Sequence, residues 1–74
     1  MKIKELLGMV VVDIDAQVIG KIEDIEFNSG NGKIEKLEVS LKKNILSRND
    51  LMINYDNIKS IGDYVLLKIS INND

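Results

Sequence analysis

The side chains of this sequence that could take part in chemistry are carboxylates, lysines and tyrosines, because its 74 residues include no histidine and no cysteine. Acid–base catalysis near neutral pH most often uses histidine, and zinc sites use cysteine and histidine. Five carboxylates lie close together in the first half of the chain: Asp13, Asp15, Glu23, Asp24 and Glu26. Hydrolysis by paired carboxylates needs a cleft, and a domain this small with a filled core provides none. We therefore interpret them as turn formers and solvated surface acids, and we expect no enzymatic activity.

Two further patterns could hold a metal or a phosphate. Asp13 and Asp15 could offer two oxygens to a hard cation, but the other ligands and the glycine of an EF-hand loop are missing. A turn-capping role is expected for this pair instead, with Asp15 able to hydrogen-bond the backbone of a turn from Asp13 to Gln17. The glycines at 30 and 32 precede a strand, whereas phosphate cradles precede a helix N-terminus. The sequence therefore predicts neither a metal nor a cofactor.

Nucleic-acid binding by a small β domain requires bases to stack on aromatic side chains within a basic groove. The aromatic residues are Phe27, Tyr55 and Tyr64, and we assign Phe27 and Tyr55 to the core. The basic cluster, Lys42-Lys43 with Arg48 nearby, resembles an ordinary solvated loop. Contact with nucleic acid is therefore not favoured, and an RNA-processing role ranks second.

These residues are carried by short segments typical of an all-β protein. We predict a small closed or partly open β-barrel of five to six strands, with one short helical turn before the last strand. The expected elements are strands over Met9 to Ile14, Val18 to Phe27, Leu37 to Leu41, Leu51 to Tyr55 and Tyr64 to Ile71, and a helical turn over Asn57 to Ile61 with Asp56 as its N-cap.

The second strand contains an irregularity in its apolar pattern. Val18 and Ile22 share one face with Gly20, but Ile25 and Phe27 are one step out of phase. One extra residue at Glu23-Asp24 would return them to the core side, and this pattern indicates a β-bulge. Bulges let a small sheet coil and close. Glycine inside a strand, as at position 20, predicts a bend or the close approach of another backbone.

Composition limits the size and setting of the domain. Ten Lys and Arg against twelve Asp and Glu give a net charge of −2, which is no electrostatic footprint for nucleic acid. The longest apolar run, Met9 to Val12, is far shorter than the ~20 residues of a membrane span. We expect a single domain over residues 1–74, with a frayed tail at 72–74, located in the cytoplasm without membrane insertion. Because so small a core stabilises a fold weakly, we also expect a homodimer.

Three motifs resemble those of the PRC-barrel family. They are Leu7-Gly8-Met9-Val10, then Ile19-Gly20-Lys21-Ile22 with Asp24 and Ile25, and finally Tyr55, Ile58 and Ile61-Gly62-Asp63. Asn54 stands where the family tends to have proline. The resemblance implies a barrel that works as a docking surface for proteins, as in the photosynthetic reaction centre, a ribosome maturation factor and archaeal division adaptors. It is closest to the stand-alone archaeal type.

Apolar residues at expected surface positions are the candidates for an interface. Strand one is apolar on both faces, with Val10, Val12 and Ile14 on one side and Met9, Val11 and Asp13 on the other. We predict self-association through Met9 and Val11 or through Tyr64 and Leu66, and partner docking through the loop with Ile45, Leu46 and Arg48.

The resulting hypothesis is a non-catalytic interaction adaptor in archaeal cell division, whose partner is a membrane-anchoring division protein. The alternative is an RNA-processing or ribosome-assembly accessory protein, whose partner is a ribosomal protein.

Overall fold

A computed structural model describes residues 1–41 and 50–71. It contains α1 (Ile3–Leu6), β1 (Val10–Val12), β2 (Val18–Phe27), β3 (Ile34–Leu41), β4 (Asp50–Asn54), a 3-10 turn (Tyr55–Asn57), β5 (Ile58–Ile61) and β6 (Val65–Leu67). The six strands form one sheet in the order β4-β3-β2-β1-β6-β5. Neighbouring strands are antiparallel except β1 and β6, which are parallel.

The all-β prediction is confirmed, and the barrel is a partly open one. The end strands β4 and β5 are not hydrogen-bonded neighbours within the described residues. The sheet coils around a core to which each of β1, β2, β3, β4 and β6 contributes. Its buried apolar residues are Leu6, Val11, Ile19, Ile22, Leu37, Val39, Ile53, Val65 and Leu67.

The predicted bulge in β2 is confirmed. Ile22 lies opposite Val39 and Asp24 lies opposite Glu38, so Glu23 is the extra residue. A second irregularity was not predicted: Val11 lies opposite Gly20 and Val12 opposite Val18, which leaves Ile19 unpaired.

This second irregularity corrects the predicted inner face of β2. Ile19 enters the core, whereas Val18 points outward and is 54% exposed. Phe27 was assigned to the core, but it is 58% exposed because it ends β2 beyond the buried residues.

Gly20 allows β2 and β3 to approach each other closely, as the sequence predicted. A Cβ atom at this position would lie 2.0 Å from the carbonyl oxygen of Ser40 and 3.1 Å from the Cα of Leu41. Real Cβ atoms do not come within 3.0 Å of another heavy atom. Any side chain at this position would therefore push β3 away from β2.

The segment between β4 and β6 differs from the prediction. The helical turn spans Tyr55–Asn57 rather than Asn57 to Ile61, because Ile58–Ile61 forms β5 and pairs with β6. Asn54 occupies the N-cap position and no side chain caps the turn, so the N-cap role predicted for Asp56 is wrong. Tyr55, predicted to be core, is 40% exposed at the beginning of this turn.

The first and the last strand in the chain are also shorter than predicted. The first ends at Val12 because Asp13 already belongs to the turn that follows. The last ends at Leu67, where the amide of Lys68 donates to the carbonyl of Asn57 instead of continuing the ladder.

Candidate interaction surfaces

Met9 and Val11 do not form the predicted outer interface. Val11 is fully buried between its partners Gly20 and Val65. Met9 is half-buried and packs against the core. Asp13, two residues further on, is buried as well. Side chains alternate along a strand, so the opposite face of β1 is the one that points outward.

The outward face of β1 is the centre of an apolar surface that we call the valine patch: Val10, Val12, Val18 and Leu66. Val12 lies directly opposite Val18 on β2 and beside Leu66 on β6. Val10, two residues earlier on β1, lies on the same face. Leu66, which was predicted as an interface residue, is half-buried and belongs to the patch because it lies beside Val12. The sequence signal for this patch was the face of strand one that carries Val10 and Val12, but the predicted interface used the opposite face.

A depression adjoins the valine patch. It has a volume of about 430 Å³ and is lined by Val10, Val18, Gly20, Lys21, Ser40 and Leu41. Val10 and Val18 therefore join the valine patch to this depression, which has a lysine and a serine at its border.

The other predicted contacts lie elsewhere. Tyr64 is 47% exposed in the turn between β5 and β6, where the amide of Gly62 donates to its carbonyl. Ile45, Leu46 and Arg48 lie outside the described residues, so their predicted role stays a prediction.

A second apolar surface lies between α1, β3, β5 and the 3-10 turn, and it was not predicted from the sequence. Ile3 of α1 and Tyr55 of the 3-10 turn line a depression of about 290 Å³ together with Ile34 and Ile61. Phe27 lies opposite Ile34, at the end of β2. The misassignment of Phe27 and Tyr55 to the core hid this surface.

Three carboxylates form a cluster on the outer face of the sheet. Oxygen atoms of Glu23, Glu38 and Asp50 lie within 4.8 Å of one another. Glu38 is half-buried, whereas Glu23 and Asp50 are exposed. Burial raises the pKa of Glu38 above its ordinary value of 4.5, and the negative charges of Asp50, Glu23 and Asp24 raise it further. Exposed acids of this kind are common on protein surfaces and do not by themselves indicate a metal site.

Asp13 links two segments of the chain through hydrogen bonds from backbone amides. Its Oδ1 accepts hydrogen bonds from the amides of Asp15 and Gln17, each at 3.0 Å. Its Oδ2 accepts from the amide of Ile71 at 3.1 Å. The turn-capping role expected for this pair is therefore confirmed for Asp13. The Oδ2 of Asp15 instead accepts from the hydroxyl of Ser70 at 2.5 Å.

The hydrogen bonds to Asp13 also determine its ionisation. The bond from the Gln17 amide, supported by those from Ile71 and Asp15, lowers the pKa of Asp13 below its ordinary value of 3.8, and burial opposes this only in part. With both oxygens accepting from backbone amides, the carboxylate holds the turn after β1 against the segment that follows β6.

The arrangement of strands, bulge and turn agrees with the comparison to protein families. The model of the PRC-barrel domain matches residues 1–71. The chain belongs to the PRC-barrel family. Among curated proteins, no significant match to it is found.

A solved structure shares the fold of this PRC barrel. It is described as a 16S ribosomal RNA processing protein, RimM, from Pseudomonas aeruginosa, and it superposes with a TM-score of 0.67 at 18% sequence identity. The match covers 90% of the PRC barrel but only 42% of the RimM chain. At this identity the likeness establishes the fold alone.

No helix among the described residues is long and apolar enough to cross a membrane.

Proposed function

We propose that this PRC barrel is a non-catalytic protein-interaction module and that the valine patch is its docking surface. The observation that carries the proposal is the direct pairing of Val12 with Val18 and Leu66 across three strands, on the side of the sheet that faces away from the core. A contiguous apolar surface of this kind marks an interaction site more often than an isolated exposed side chain does.

Self-association is the simplest use of the valine patch. A 74-residue domain has a small core, and a second copy covering the patch would add buried apolar surface. Tyr64 and Leu66, the predicted contacts of the homodimer, belong to the turn before β6 and to β6 itself. We propose that the protein works as one domain in the cytoplasm, without inserting into a membrane.

Ribosome assembly is the biological setting that the RimM likeness favours, with a ribosomal protein as the partner. The support is that RimM, which has the same fold, is a 16S ribosomal RNA processing protein. An adaptor role in archaeal cell division, with a membrane-anchoring division protein as partner, is the other setting we propose. Affinity capture from the source cell, compared between wild type and a valine-patch variant, distinguishes these two partners.

The variant Val18→Lys tests the docking surface. Val18 is 54% exposed, so lysine is tolerated by the fold, but its charge disrupts an apolar contact. We expect the mass measured by light scattering to fall from dimer to monomer, or the dimer dissociation constant to rise about tenfold or more. Met52→Lys is the matched control, since Met52 is 44% exposed on β4, at the far end of the sheet order from β6.

An unchanged mass in Val18→Lys, or a wild type that is already monomeric, would remove self-association through the valine patch. If partner capture is also unchanged in that variant, the valine patch is not the docking surface at all.

Direct contact with RNA is the second candidate function, because two aromatic side chains that were predicted to be in the core lie at the surface. Phe27 and Tyr55 are exposed, and Lys33 lines a depression shared with Ile34 and Tyr55. Glu35 and Asp56 also border this region, which weakens its attraction for phosphates. A single-stranded RNA oligomer should therefore bind only weakly, and a micromolar affinity that falls with salt and is lost in Phe27→Ala would favour this candidate over the valine patch.

A further inference from the structure

The carboxylate cluster lies where the end strand β4 is attached to the sheet. Glu38 is in β3, with Asp24 of β2 directly opposite on one side and Met52 of β4 on the other. Asp50 is the first residue of β4 and lies opposite Ser40. Since β4 pairs only with β3 in the described residues, contacts to β3 determine how firmly it is held.

Both neighbouring strands present negative charge to Glu38. The charged groups around it on this outer face are Glu23, Asp24, Glu26 and Lys21 from β2, Asp50 from β4 and Lys36 from β3 itself. The bulge contributes to this arrangement, because it inserts Glu23 as an extra residue beside Asp24. Like charges on adjacent strands oppose pairing.

We propose that this cluster makes the attachment of β4 acid-sensitive: β4 is held loosely at neutral pH and more firmly at mildly acidic pH, when Glu38 takes up a proton. A proton on Glu38 removes the repulsion with Asp50 and Glu23 and provides a donor for a carboxylate hydrogen bond. Within residues 1–41 and 50–71, β4 is an end strand of the sheet, so the proton controls the order of a sheet edge with which another strand could pair.

The direction of this pH dependence follows from the pKa of Glu38, which is higher in the folded protein than its ordinary value of 4.5. Ionised Glu38 is therefore disfavoured in the folded state. The penalty is full at neutral pH and disappears as the pH falls through the raised pKa towards 4.5. Below that pH the group is protonated whether β4 is attached or not, and no further gain is expected.

Amide hydrogen exchange tests the proposal. For Leu51 and Ile53 in β4, the intrinsic exchange rate at each pH is divided by the measured exchange rate, so that the intrinsic pH dependence of exchange cancels in this protection ratio. Between pH 7 and pH 4.5 this protection ratio should rise about three- to fivefold, which is the scale of a like-charge repulsion between adjacent strands. In Glu38→Gln it should already be high at pH 7 and change less than about twofold.

Glu26→Gln is the matched control, because Glu26 lies on the same face of β2 opposite Lys36 and outside the cluster. It should behave as the wild type. Sodium chloride at high concentration should weaken the effect in the wild type, since it screens the exposed carboxylates. A ratio that is independent of pH in the wild type, or a pH dependence retained in Glu38→Gln, overturns the proposal.

Discussion

Gly20→Ala should lower the free energy of unfolding by at least about 2 kcal/mol, which corresponds to a melting temperature roughly 8–16 °C lower. The new Cβ would lie 2.0 Å from the carbonyl oxygen of Ser40, and a backbone atom cannot move aside as a flexible side chain can. β2 and β3 form the longest ladder of the sheet, with pairing from Gly20 to Phe27. Thermal unfolding followed by circular dichroism measures the effect.

Gly62→Ala is the matched control for this substitution. Gly62 does not have a positive φ, and nothing lies within 4 Å of the position of its Cβ. Alanine there should leave the melting temperature within a few degrees or raise it, because it reduces the entropy of the unfolded chain. Equal melting temperatures for the two variants would show that β2 and β3 are not in close contact at Gly20.

Asp13→Ala is expected to produce the second large loss, a melting temperature about 10 °C lower at pH 7. The substitution leaves the amides of Gln17, Asp15 and Ile71 without their acceptor at a fully buried position. Asp56→Ala is the control, since the Asp56 carboxylate does not cap the 3-10 turn. A melting temperature of Asp13→Ala equal to that of the control would contradict the linking role of Asp13.

The same carboxylate predicts how stability falls in acid. The pKa of Asp13 is lower in the folded protein than its ordinary value of 3.8, so its contribution is complete above pH 3.8 and is lost as the pH falls below it. The contribution of Glu38 to stability changes in the opposite direction, because it increases as the pH falls from neutral towards 4.5. Stability should therefore rise slightly from neutral pH towards about 4.5 and fall below about 3.8. Asp13→Asn should lose much of the decline in acid.

Much of the fold could be predicted because local patterns report local geometry. The phase change around Glu23-Asp24 indicated the bulge, and glycine at position 20 indicated close backbone contact; both are confirmed. Val18 was wrongly predicted to face the core in place of Ile19. The unpaired position of Ile19 depends on the pairing of β2 with β1, which the sequence of β2 alone does not reveal. Likewise, Ile58 and Ile61 fit either a helical turn or a strand until β6 is placed beside them.

The candidate surfaces were harder to predict than the fold. The two faces of strand one are equally apolar, so the sequence could not show that Val11 is the buried one and Val12 the outward one. Phe27 and Tyr55 were assigned to the core from their hydrophobicity, but Phe27 ends β2, Tyr55 begins the 3-10 turn, and both side chains are exposed.

The parallel pairing of β1 with β6 has a consequence for how the molecule reaches its native state. Val11 and Val65 are neighbours in the centre of the sheet, yet they lie near opposite ends of the described chain. A contact between residues so distant in sequence requires the entropy of closing a long loop to be lost before it forms, which slows folding. During synthesis on the ribosome, Val11 would therefore stay uncovered until β6 has emerged from the exit tunnel.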